Sequence, residues 1–291
     1  GISLMALSLA ACGGSSTPVA VADDAAAAPV VTPVAQAVSL TIGVDAVTTG
    51  AGDDTITAGT VANTNNAGAV VNNATLSATD VIDGGAGADT LNVTEVAAIT
   101  VPGVTVTNVE TINLTSAAGV TANLGSGFTG VETLNVTASG ATNIDALATI
   151  DVNLTASTVG AVTTAVDKAK DITITNTGVT DTAATIAVGA ASAAKGAVSV
   201  TQTTNFADGA DDVAPTIAVT GGTTVAITQN LAGASDAAQA TDASSETFTG
   251  GAVTVTGTAD TTSVSVTQTA ANTAVNYAVA TAATATATGT L

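Results

Sequence analysis

The run Val109-Glu110-Thr111-Ile112-Asn113-Leu114-Thr115 returns 22 residues later as Val131-Glu132-Thr133-Leu134-Asn135-Val136-Thr137. In both copies apolar residues alternate with Thr or Asn, the period of a strand that buries one face. The same alternation recurs at Val152-Asn153-Leu154-Thr155, Ile172-Thr173-Ile174-Thr175 and Val198-Ser199-Val200-Thr201. It returns at Val225-Ala226-Ile227-Thr228, Val253-Thr254-Val255-Thr256 and Val264-Ser265-Val266-Thr267. From Leu134 to Val152 is 18 residues, from Val152 to Ile172 is 20, and from Ile172 to Val198 is 26. A loosely kept period of about 20 predicts an elongated, all-β parallel β-solenoid in which each coil adds a strand to the same face. A β-sandwich would space its strands at about 8–12 residues, with stronger turn pairs.

The apolar composition points the same way. Hydrophobic residues make up 46% of the chain, but the only aromatics are Phe128, Phe206, Phe248 and Tyr277, and there is no Trp. Val, Ile, Leu and Ala would leave voids in a broad globular centre, whereas they fill the narrow interior of a solenoid. Little helix is expected, because Thr is weak in helix interiors and the Ala-rich segments lack an amphipathic Leu/Glu/Lys pattern. The exceptions are Thr142 to Thr149, Val162 to Lys170 and Asp236 to Ser244. After Thr269 only Val275, Tyr277 and Val279 alternate convincingly, so that tail closes the stack or frays.

Charge is one-sided. The acidic residues number 23 against Lys168, Lys170 and Lys195, with no Arg or His, for a net charge of −20. Such a chain repels nucleic acid and anionic membrane surfaces. Its natural complement is a divalent cation, since clustered carboxylates repel one another on folding and a hard cation with oxygen ligands removes that cost.

Those carboxylates recur in a fixed frame. Gly84-Gly85-Ala86-Gly87-Ala88-Asp89-Thr90-Leu91-Asn92 matches the nonapeptide G-G-x-G-x-D-x-U-x in full. Nine residues upstream, Asp80 and Ile82 hold the places of Asp89 and Leu91. Gly43-Val44-Asp45-Ala46-Val47 and Gly52-Asp53-Asp54-Thr55-Ile56 repeat the relation at the Gly, Asp and apolar positions. Glycines let a turn adopt positive φ and direct its carbonyls inward, and each Asp adds a carboxylate, so paired turns of this type predict calcium binding. Glu110 and Glu132 fall at matching places in the repeat and read as solvated charges that discourage edge pairing.

Cys12 is the only cysteine, which excludes an intrachain disulfide, a thiolate zinc site and a dithiol redox pair. It follows the apolar run from Ile2 to Ala11, too short to span a bilayer as a helix and suited to an export signal. Leu9-Ala10-Ala11-Cys12 resembles the lipobox of bacterial lipoproteins, in which the cysteine sulfur receives the lipid. That resemblance implies lipidation at Cys12. Pro18, Pro29 and Pro33 then mark an extended linker. The expected layout is an export signal over 1–12, a linker over 13–37 and a repeat domain over 38–291, with the turn motifs in 41–93.

The segments from Thr41 to Gly59, from Asp80 to Val93 and from Val109 to Asn113 together resemble the calcium-binding repeat-in-toxin (RTX) class, especially its crystalline surface-layer branch. The resemblance implies that loop carbonyls and aspartates hold Ca2+ between coils at Gly52, Asp54, Gly87 and Asp89, with Asp45 and Asp80 as partners. It also implies a secreted structural protein of the bacterial cell surface, ordered by external calcium and assembling with itself. Its further partners would be the outer membrane, through the lipid anchor, or a surface polysaccharide. An adhesin or carbohydrate-binding stalk is the alternative, although the aromatics that would form sugar platforms are few. A β-helix polysaccharide-degrading enzyme is more remote. Asp53/Asp54 or Asp211/Asp212 offer paired acids, but the Arg or Lys base and the stacking aromatics are missing, so no enzymatic activity is expected.

Overall fold

The computed structural model describes residues 33–64, 70–159, 163–179, 184–206, 212–233, 247–271, 278–279 and 285–288. All belong to one compact unit, Pro33–Leu291. Cys12 and most of the expected linker lie outside the described residues.

The unit is a parallel β-solenoid, and among the described residues there is no helix. Its first face stacks β1 (Ala37–Ser39), β3 (Thr55–Thr64), β6 (Thr90–Glu95), β9 (Thr111–Ser116) and β12 (Thr133–Ala138) in order. It continues through β14 (Asp151–Val159), β16 (Ile172–Val179), β18 (Val198–Phe206), β21 (Thr224–Gly233) and β24 (Ser263–Ala271). The second face runs through β7 (Ile99–Thr100), β10 (Val120–Asn123), β13 (Thr142–Asp145) and β15 (Thr163–Asp167), then β17 (Thr185–Val188), β20 (Thr216–Thr220), β23 (Val253–Thr256) and β26 (Ala285–Thr288). A third face stacks β2 (Ala46–Thr48), β5 (Val81–Asp83), β8 (Thr105–Thr107) and β11 (Phe128–Thr129). Three later coils add the short strands β19 (Asp212–Val213), β22 (Thr247–Thr249) and β25 (Ala278–Val279). The one antiparallel partner among the described residues is β4 (Val70–Ala74), which folds back on β3 as a hairpin inserted into an early coil.

Strand spacing along the sequence is the register of the stack. Leu134 pairs with Val152, Val152 with Ile172, and Ile172 with Val198. Each strand places alternate residues inside, so apolar side chains form continuous columns. One such column carries Ile56, Leu91, Ile112, Leu134, Val152 and Ile172, each no more than 2% exposed. Val, Ile and Leu suffice because each side chain packs on its counterpart one coil away, about 4.8 Å distant, rather than across a wide interior.

Outward positions form columns too. Asn113 donates from Nδ2 to Asn92 Oδ1 at 2.8 Å, Asn135 to Asn113 at 2.9 Å and Asn153 to Asn135 at 2.9 Å. This asparagine ladder satisfies its own amides along the stack and favours a flat parallel sheet.

Three sequence expectations are corrected. Val253–Thr256 reads like the first-face strands, yet it is β23 of the second face. The helix expected from Thr142 to Thr149 is β13 followed by a turn, because Thr142 and Ile144 alternate into the core at 2% and 0% exposure. The described part of Val162 to Lys170 is β15 and the turn after it, with Thr164 and Val166 buried in the same columns. In both segments burial on a two-residue period overrides the weak helical preference of Ala. Asp236 to Ser244 lies outside the described residues.

Candidate metal centre

The corner between the third and first faces holds Asp54 and Asp89, and the opposite end of the third-face strands holds Asp45 and Asp80. The turn from Thr49 to Asp54 joins β2 to β3, and the turn from Gly84 to Asp89 joins β5 to β6 one coil later. The two turns stack, with Ala86 N–H donating to Gly50 O at 3.0 Å. At Gly87 a side chain would run into the Gly52 carbonyl, and at Gly52 one would run into the backbone of Val34 and Ala35. Both glycines therefore allow close approach between coils.

The aspartates pair across coils, not along the nine-residue repeat. Asp45 N–H donates to Asp80 Oδ1 at 3.0 Å, and Asp54 N–H donates to Asp89 Oδ1 at 2.7 Å. In each case 35 residues separate the partners. The nine-residue step carries the chain past one short third-face strand, from the Asp45/Asp80 column to the Asp54/Asp89 column. The carboxylates of Asp54, Asp80 and Asp89 are thus direct rung locks, each accepting an amide of the coil before it, whereas that of Asp45 accepts Thr41 within its own turn.

In three of the four carboxylates both oxygens accept at least one hydrogen bond. Asp45 accepts Thr41 N–H at 2.8 Å and the Thr41 hydroxyl at 3.0 Å. Asp80 accepts Ser77 N–H at 2.7 Å and the Ser77 hydroxyl at 2.8 Å. Asp54 accepts the amides of Gln36 and Gly50 on its two oxygens. Among the described residues no group of three or more Asp, Glu, His or Cys side chains converges as a metal cluster.

Asp89 differs. Its side chain is fully buried, and Oδ2 accepts no hydrogen bond. In the earlier turn Gly50 N–H serves the equivalent oxygen of Asp54, but here Gly85 has φ 89° and its N–H turns to Asp83 Oδ1 at 3.1 Å. At Gly84 too a side chain would run into the Asn108 carbonyl of the following coil, and Asp89 Oδ2 lies against the same glycine. Two acceptors therefore lie near one another against Gly84. A hard cation could take Asp89 Oδ2 and the Asn108 carbonyl as ligands only if Gly84 shifted away from them, whereas Asp45, Asp54 and Asp80 have both oxygens engaged by donors.

Electrostatics sharpen the contrast. Burial lifts the Asp89 carboxyl above the ordinary aspartate range; the Asp54 amide pulls it back, and the charges of Asp54, Glu110 and Asp53 add to the rise. The favourable contribution of a raised carboxyl is present below its unfolded-state pKa and lost as pH climbs through the folded value. Asp54 is shifted the other way, chiefly by the Gln36 amide, with burial opposing and Thr49 and Gly50 assisting. Its contribution is present above the unfolded value and lost as pH falls through the folded one.

Glu110, read from the sequence as a solvated charge, instead accepts Asp89 N–H on Oε2 at 2.7 Å and so extends the carboxylate–amide ladder by one coil. Its place next to a strand in a recurring motif was the available signal. Further along, Asp171 accepts Ala197 N–H at 2.6 Å, while Lys170 pairs with Asp151 at 3.1 Å and Lys168 with Asp145 at 2.8 Å. The early coils have no such lysine, because all three cations of the chain lie at Lys168 or beyond. Of the acids named for the enzymatic alternative, Asp53 and Asp54 sit in the turn after β2, with Asp53 Oδ1 accepting Ala88 N–H at 2.9 Å, Asp212 opens β19, and Asp211 lies outside the described residues. A surface groove of about 440 Å³ near Pro102 and Phe128 is lined without any ionisable side chain. No protein-family model matches the chain, and no curated protein matches it.

Proposed function

We propose that this chain is a calcium-dependent structural protein of the bacterial cell surface that assembles with copies of itself and catalyses no reaction. The observation that carries the reading is the buried Asp89 carboxylate, whose Oδ2 accepts no hydrogen bond and lies against Gly84 near the Asn108 carbonyl. That oxygen is unsatisfied in a stretch that contains no cationic side chain. Leaving such a group without a partner costs about 1–3 kcal/mol, and more when it is charged. Calcium bound there would supply positive charge to two oxygens on neighbouring coils, and Asp89 with the Asn108 carbonyl would hold it. The carboxylate ladder through Asp54, Asp89 and Glu110 already fixes those coils relative to one another. Binding would therefore couple to the order of the stack, as it does wherever the unfolded chain has no formed site.

A net charge of −20 also opposes contact between copies. Neutralising part of it lowers that barrier, which joins calcium binding to assembly. Lipidation at Cys12, or contact with a surface polysaccharide, would hold the assembly at the outer membrane. Light scattering and circular dichroism of the purified chain test the reading: millimolar calcium is expected to raise both particle size and β signal, and chelator to reverse both. Unchanged size and signal would contradict it.

A further inference from the structure

We infer that the outer side of the first face is the surface through which two copies of this chain dock, an inference that rests on the self-assembly proposed above and names its contact. The register puts one threonine from each of eight successive strands, Thr94 on β6 to Thr267 on β24, into a single unbroken row. Beside it runs the asparagine ladder. Most of the row is exposed, with Thr201 and Thr228 half-buried.

Charge singles this face out. From β6 to β24 the one ionisable side chain that its described strands turn outward is Asp151, at the margin where β14 begins. Elsewhere the chain is strongly acidic, and its aspartates sit on the corners. Two bodies of net charge −20 approach with least repulsion through the side that carries almost none of it. The eight strands are six to ten residues long. At about 3.3 Å per residue and about 4.8 Å between strands they present roughly 1,000 Å². A standard interface needs about 800 Å² per partner.

Side-chain chemistry fits a second copy as well. Threonine offers a methyl group and a hydroxyl that both donates and accepts, so a row of threonines can meet an identical row without leaving polar atoms unpaired. In-register parallel strands with identical side chains at each level mate with an equivalent sheet for the same reason, and stacked asparagines add to it.

Sedimentation velocity of the full chain in calcium tests this. The wild type is expected to pair. Thr137→Glu with Thr175→Glu should weaken pairing by at least about tenfold by setting like charges against each other, and mixing that variant with a Thr137→Lys/Thr175→Lys chain should restore it. Thr121→Glu with Asn143→Glu, outward on the second face, should pair like wild type. Circular dichroism checks that each variant keeps its β signal. If the first-face glutamates leave pairing intact while calcium still drives assembly, the docking surface is wrong and the scaffold reading stands. A wild-type chain that stays monomeric with and without calcium overturns both. A monomer that binds surface polysaccharide through this face, losing it in the glutamate variant, overturns the docking inference in favour of a glycan partner.

Discussion

Gly85→Ala is expected to destabilise the chain by about 3 kcal/mol, from a strained φ and a backbone clash acting together. Gly85 has φ 89°, where an L side chain is strained, and an added Cβ would run into the Gly50 carbonyl of the stacked turn. That carbonyl cannot retreat without cost, because it accepts Ala86 N–H at 3.0 Å and so takes part in the contact between the turns. Gly103 is the matched control. It lies at another corner of the stack, and a Cβ added there meets nothing within 4 Å. Gly103→Ala should be close to neutral in chemical denaturation, and equal losses for the two variants would contradict the stacked-turn geometry.

Leu134→Ala is expected to cost about 2–5 kcal/mol by opening a cavity in the middle of the core. Leu134 is fully buried, and Ile112 and Val152 lie directly on either side of it in the column. The effect should also be local. Each coil touches chiefly its immediate neighbours, so stability behaves as a sum of nearest-neighbour terms, and a weak central coil divides the cooperative unit. Amide hydrogen exchange is expected to accelerate in β9, β12 and β14 before it does in β21 and β24. Uniform acceleration along the whole chain would instead indicate an interior that responds as one globular core.

Much of this architecture could be read from the chain because the first-face strands are long and bury Val, Ile and Leu on a two-residue period. The coil lengths were legible for the same reason: Asn113, Asn135 and Asn153 recur at intervals of 22 and 18 residues and do hydrogen-bond to one another. The second face was hidden. Strands such as Val120–Asn123 and Thr142–Asp145 are short and mix Ala, Thr and Asn with single apolar residues, so their signal is no stronger than that of a turn or a brief helix. The family resemblance grouped Asp54 with Asp89 between coils, but the nine-residue repeat by itself relates Asp45 to Asp54 and Asp80 to Asp89, whereas the hydrogen bonds join Asp45 with Asp80 and Asp54 with Asp89. The hairpin of β3 and β4 lengthens one coil to 35 residues, and nothing in a nine-residue repeat reveals that Asp54 meets Asp89 across that insertion. The difference between Asp54 and Asp89 was equally invisible, because it depends on where a single amide, that of Gly85, points.

The most direct test is the thermal unfolding midpoint in calcium and in chelator, for wild type and Asp89→Asn. In chelator the buried carboxylate is uncompensated, so replacing it by a neutral amide that can donate toward the Asn108 carbonyl should raise the midpoint. In calcium the wild type should gain stability by mass action while the variant gains none. A wild-type midpoint that is the same in calcium and in chelator, or a variant that responds as the wild type does, would contradict the account.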